Sequence, residues 1–188
     1  MSGHQVKRAD LEGVLLFAPP RHADERGQLT ELYRRDTYAE LGLPDPIVQV
    51  NASRSRRGVL RGLHYQLRRP QGKLVFALRG EIFDVAVDIR RGSPTFGQWF
   101  GEVLSEHSAT QMFVPGWCAH AFCVLSDEAE VVYGLTDVHE PGDGRGVLWS
   151  DPDIGISWPI DDPILSSRDA NQPRLLELGP NDLPTYAG

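Results

Sequence analysis

Short runs of β-branched and aromatic residues, broken by glycine, proline or asparagine about every ten residues, occupy the middle of the chain. The clearest run is Phe83 to Ile89, where Phe83, Val85, Val87 and Ile89 alternate with Asp84, Ala86 and Asp88. Side chains two apart share a strand face, so this segment predicts a strand with one apolar core face and one polar face. A strand over Leu74 to Leu78 leads into it through a tight turn at Arg79-Gly80-Glu81, and Arg91-Gly92-Ser93-Pro94 makes the next turn. Further strands are expected over 47–51, 97–104, 111–114, 120–125 and 130–135. Helix is confined to the flanks. Asp36 is the expected N-cap of a short helix through Leu41, ended by Gly42 and Pro44, and Ser166-Ser167-Arg168-Asp169 opens a helical turn that Pro173 limits. The pattern predicts a mainly β, antiparallel jelly roll or barrel of eight or more strands with short flanking helices.

The chain has 188 residues, 40% of them apolar and 24% charged, and no linker or repeat divides it, so residues 1–188 are read as a single domain. A net charge of −7 argues against nucleic acid or an anionic membrane as partner, because no basic face is available to replace counterions. Basic residues are nonetheless dense in one place: Arg54, Arg56, Arg57, Arg61, Arg68, Arg69 and Lys73 lie within twenty residues, which leaves room for an anionic small molecule. The first residues carry no apolar signal core and no run of eighteen apolar residues occurs, so a cytoplasmic location is expected. Cys118 and Cys123 match neither a redox pair nor a zinc-ligand spacing and read as reduced core thiols.

The segment Gly58 to Gln66, Gly-Val-Leu-Arg-Gly-Leu-His-Tyr-Gln, carries the best clue to chemistry. In a regular strand Leu60, Gly62, His64 and Gln66 would line one side, and Arg61, Leu63 and Tyr65 the other. An imidazole is suited to moving protons near neutral pH. Arg26, Glu31, Gln49, Asn51, Arg61, His64, Lys73, His120, Tyr133, Arg168 and Asp169 are the polar residues that a barrel would bring together from separate elements. Histidine, lysine and tyrosine around an anionic ligand suit removal of a proton alpha to a carbonyl, with lysine stabilising the oxyanion and tyrosine returning a proton. A metal is not expected, since neither His64 nor His120 has a closely spaced second ligand.

The stretches 24–27, 49–53, 58–66, 71–74, 84–90, 93–97, 119–122, 132–133 and 167–169 occur in an order that resembles the dTDP-4-dehydrorhamnose 3,5-epimerase family, over about residues 13 to 170. The resemblance implies a cupin-type jelly roll, a homodimer, and catalysis without metal or organic cofactor on a nucleotide-linked 4-keto-6-deoxyhexose. By position it implies that His64 is the general base, Asp169 the carboxylate that orients it, Tyr133 the acid on the opposite face and Lys73 the group beside the C4 oxygen. Arg26, Arg61, His120 and Arg168 then hold the pyrophosphate or sugar, with Arg168 standing where a lysine is usual, and Glu31, Gln49 and Asn51 lie near base and sugar.

Three departures bear on the substrate. Gly134 follows Tyr133 where a lysine is common and His139 stands in place of a base-stacking tyrosine; Trp117-Cys118 replaces Gly-Phe beside His120; and Asp143-Gly144 falls near the place of a glutamate common in the following loop. They leave open the nucleotide and whether C3, C5 or both are inverted, since relatives acting on one carbon share the same base and acid. A cupin-like sugar-nucleotide binding module and a metal-dependent cupin enzyme are the rival readings.

Overall fold

The computed structural model describes residues 3–187. Its strands are β1 (Gln5–Arg8), β2 (Leu15–Ala18), β3 (Arg21–Asp24), β4 (Gly27–Thr30), β5 (Gln49–Arg56), β6 (Leu60–Gln66) and β7 (Lys73–Arg79). They continue with β8 (Glu81–Asp88), β9 (Trp99–Ser105), β10 (Gln111–Val114), β11 (Cys118–Val124), β12 (Glu128–Leu135) and β13 (Gly144–Gly146). Two short helices, α1 (Arg35–Glu40) and α2 (Ser167–Ala170), flank them. One sheet runs β1-β2-β10-β7-β12-β5 and faces a second, β13-β6-β11-β8-β9, while β3 and β4 form a separate hairpin. Every strand pairing is antiparallel, which makes the jelly roll that the strand spacing predicts.

Three apolar layers hold it together. Between the sheets, Leu16, Val75, Ala77, Met112, Val114, Ala129 and Val131 from the first sheet meet Ile82, Ala86, Leu104, Phe122 and Val124 from the second. The outer face of the second sheet, with Leu63, Tyr65, Val85, Val87, Ile89, Ala119 and Ala121, is covered by Val147, Ile154, Leu175 and Leu183 of the C-terminal segment. The outer face of the first sheet, with Leu15, Phe17, Leu74 and Phe113, is covered by Tyr38 and Leu43 at α1. Each such Leu, Val or Phe withdrawn from water contributes about 1.5–3 kcal/mol.

This layering inverts the expected sense of β8. Its apolar residues Val85, Val87 and Ile89 point outward beneath the C-terminal segment. The residues of the polar face share the side on which Ala86 joins the layer between the sheets, and Asp84 and Asp88 are fully buried. Alternation located the strand, but a sheet covered on both sides leaves neither face to water. Helix α1 also differs from expectation, because Arg34 is the N-cap and Asp36 lies inside the first turn, where its charge still suits the helix N-terminus. Both cysteines are buried free thiols, and burial pushes the Cys123 thiol up to about 11.

Candidate active site

The cavity between the sheets has a volume of about 370 Å³ and is lined from both sides. From the first sheet come Asn51 of β5, Lys73 of β7 and Tyr133 and Leu135 of β12. From the second come Arg61, His64 and Gln66 of β6, His120 and Phe122 of β11, and Gly144 and Arg145 of β13. Register explains the gathering. Tyr133 pairs with Asn51 on one side and Val75 on the other, Leu135 pairs with Lys73, and His120 pairs with His64. His139, Ser166, Arg168 and Asp169 close the rim.

Arg61 shares the cavity with His64, although regular alternation would put them on opposite faces. Between Arg61, which pairs with Phe122, and His64, which pairs with His120, the two residues Gly62 and Leu63 stand opposite Ala121 alone. This bulge slips the side-chain phase by one and turns Arg61 inward while Leu63 still packs outside. Only glycine fits there: Gly62 has φ +123°, and a Cβ on it would lie 2.5 Å from both the Ala121 Cβ and the His120 carbonyl oxygen.

His64 Nε2 lies 2.6 Å from Asp169 Oδ1, and the Asp169 side chain is 6% exposed against 38% for His64. Burial opposes the Asp169 charge, but hydrogen bonds from His64, Ser166 and the Gly62 backbone N–H outweigh it and hold the carboxyl below its usual range. An ionised Asp169 accepts a hydrogen bond from Nε2–H, which leaves the second ring nitrogen of His64 free as a base. Lys73 is buried, donates to the Gln71 carbonyl at 3.2 Å, and has its pKa lowered to about 8 by burial, with Asp84 among the charges opposing the shift.

A second imidazole–carboxylate pair was not anticipated as such. His120 Nε2 lies 2.8 Å from Asp84 Oδ1, and Asp84 Oδ2 has no hydrogen-bond partner among the described residues. Burial pushes the Asp84 carboxyl up, against the pull of His120 and Lys73. The available signal was an aspartate at every fourth position of an otherwise apolar strand, which has meaning only once the face is known to be internal. Ser55, which bonds both Nε and a terminal nitrogen of Arg61, and Arg145, paired with Asp182 at 2.9 Å, carried no legible signal.

Most of the basic cluster serves the surface. Arg54 pairs with Glu128, Arg57 with Asp127, Arg68 with Asp143, and Arg69 with Asp137 and Glu140. Arg61 and Arg168 line the cavity and form no ion pair among the described residues, so two guanidinium groups remain to meet an anion. Gln49 stands behind the wall, with Nε2 on Asn51 and Oε1 accepting the His139 backbone N–H at 2.9 Å. Arg26 and Glu31 do not reach the cavity in this chain. Arg26 is tied to Asp24 on the exposed β3–β4 hairpin, whose hydrogen-bonded register carries it away from β5 and β6, and Glu31 pairs with Arg34. Among the described residues, no three His, Cys, Asp or Glu side chains gather as a metal-binding group.

Fold and site together define a jelly-roll protein with titratable groups on both walls of a cation-lined cavity. Residues 8–177 match the dTDP-4-dehydrorhamnose 3,5-epimerase family, and the chain belongs to that family. It is 52% identical to dTDP-4-dehydrorhamnose 3,5-epimerase of Pseudomonas aeruginosa over 167 residues, 88% of this chain and 92% of the relative. It is 41% identical to dTDP-4-dehydrorhamnose 3-epimerase of Streptomyces niveus over 186 residues, 97% and 90% of the two chains. A crystal structure of dTDP-6-deoxy-D-glucose-3,5-epimerase from Legionella pneumophila in complex with dTDP-4-keto-L-rhamnose superposes with a TM-score of 0.95 at 42% identity, covering 98% of this chain and all of that one.

Proposed function

We propose that the protein inverts C3 and C5 of dTDP-4-dehydro-6-deoxy-D-glucose to give dTDP-4-dehydro-L-rhamnose, with residues 1–188 acting as one catalytic domain. The observation that carries this reading is that His64 and Tyr133 stand on opposing sheets across one cavity. The C4 ketone acidifies the hydrogens on C3 and C5. His64, oriented by Asp169, removes a proton from one face of a ring lying between the sheets. Lys73 carries the enolate charge at the C4 oxygen, and Tyr133 returns a proton from the other face. Arg61, Arg168 and His120 hold the diphosphate or sugar; Asn51, Gln49 and His139 lie toward the base.

The protein acts in this reading as a homodimer. Among the described residues edge strand β5 has no neighbour on its outer side, and Val48, Val50 and, on the hairpin, Leu29 are 56%, 65% and 72% exposed. A second copy is also the only source of Arg26 and Glu31 for a cavity their own chain does not bring them to. No described helix is long and apolar enough to cross a membrane.

Purified protein incubated with the 4-keto sugar nucleotide in D₂O should wash deuterium into C3 and C5. Folded, ligand-binding protein that exchanges neither carbon would refute the proposal and favour a binding module. Exchange at one carbon alone would replace it with the single-carbon activity that the name of the Streptomyces niveus relative describes. Light scattering at twice the chain mass is the expected assembly result.

A further inference from the structure

One group, Ser166, acts on the His64–Asp169 pair without belonging to it. Asp169 is the third residue of the four-residue helix α2, and Ser166 is its N-cap, with Oγ accepting the Asp169 backbone N–H at 3.1 Å. The same hydroxyl favours the ionised Asp169 carboxylate, as does the backbone N–H of Gly62. Ser166 therefore acts on both the main chain and the side chain of one aspartate.

A helix of one turn does not hold itself together in water, because nucleation costs more than one or two hydrogen bonds return. The direction of the Asp169 carboxylate consequently depends on its cap, not on α2 as a rigid body. We propose that Ser166 sets the Asp169 carboxylate against His64 and is a positioning residue for proton abstraction. This rests on the epimerase reading above. Ser166 stands at the cavity rim but bonds Asp169, so its loss should slow turnover more than it weakens substrate binding.

The test uses the wild-type protein, Ser166→Ala, Ser166→Thr, Asp169→Ala and the double variant Ser166→Ala/Asp169→Ala, all assayed for D₂O exchange and turnover of dTDP-4-dehydro-6-deoxy-D-glucose. Ser166→Ala should lower kcat about tenfold with KM unchanged within about twofold, as expected for losing a hydrogen bond to a charged group. Threonine keeps the hydroxyl and should restore most of the rate. In the Asp169→Ala background the serine substitution should have no further effect, since the group it positions is gone. A wild-type kcat in Ser166→Ala, a loss that threonine does not restore, or an equal loss in the Asp169→Ala background would each overturn the inference while leaving the epimerase reading in place. Absence of exchange by the wild-type protein itself would remove both.

Discussion

Lys73 should be a residue whose removal stops turnover and strengthens the fold. It lies between the sheets with 9% of its surface exposed, and it donates to the Gln71 carbonyl. Burial draws its pKa from 10.5 to about 8, so the folded protein holds this ammonium less firmly than the unfolded chain does. At about 1.4 kcal/mol per pH unit, that difference corresponds to about 3 kcal/mol. The sign follows from proton counts. Below pH 8 both states carry the proton and the folded state bears the full cost of burying it. Between about 8 and 10.5 the unfolded chain still holds the proton and the folded one has released it, so this contribution makes stability rise with pH. Lys73→Met keeps the volume and removes the charge. It should raise the urea-unfolding free energy at pH 7 by about 1–3 kcal/mol, the lower part of the range applying because Asp84 loses a favourable cation. The advantage over wild type should shrink between pH 8 and pH 10.5. The same variant should lose about 10²- to 10³-fold in kcat, the usual value of an oxyanion donor, and wild-type turnover should fall on the alkaline side of about pH 8 as the ammonium is lost. Paired urea titrations and turnover assays at pH 7 and pH 9.5 decide the matter. A Lys73→Met protein that is less stable than wild type at pH 7, or a stability difference that does not change with pH, would show that the buried ammonium is not a cost to the fold.

His64→Ala should reduce deuterium exchange at C3 and C5 by about 10²- to 10⁴-fold with the protein still folded, while Asp169→Asn should cost about 10- to 10²-fold; a neutral Asp169→Asn would remove the carboxylate from the catalytic reading. Tyr133→Phe should still exchange protons from the His64 side but form little inverted product by NMR, and unchanged product formation would exclude Tyr133 as the acid. Gly62→Ala should destabilise by about 2–4 kcal/mol in urea, because its Cβ would meet Ala121 and His120 at a positive φ; a near-neutral result would mean that the bulge relaxes easily.

Strand positions were legible wherever one face differed from the other in polarity. Residues 111–114 form β10 as expected, the Gly80 turn joins β7 to β8, and β11 and β12 lie within two residues of their expected ends. The expected 47–51 strand begins at Gln49 and runs on to Arg56, since serine and arginine at its far end carry no apolar period. Strands β1, β3 and β4 had no such signal, being exposed along most of their length. Of the expected site residues, His64, Lys73, His120, Tyr133, His139, Asn51, Arg61, Arg168 and Asp169 meet at one cavity, and Gln49 supports it from behind. Asp84 was read as half of a polar strand face and proves to be the partner of His120.

Local chemistry determined which segments are strands, where they turn and which side chains could move protons, because these follow from the period of two and from residue type alone. Tertiary structure decided which face of β8 is interior, which arginines remain unpaired, and that Arg61 joins His64. Each depends on what another segment lays against the strand: the C-terminal residues over β8, the acids on β12 and its loop beside the arginines, and β11 across from the Gly62 bulge. Polarity along a strand specifies a contrast between two faces. Only the packing of the whole chain assigns one of them to the site.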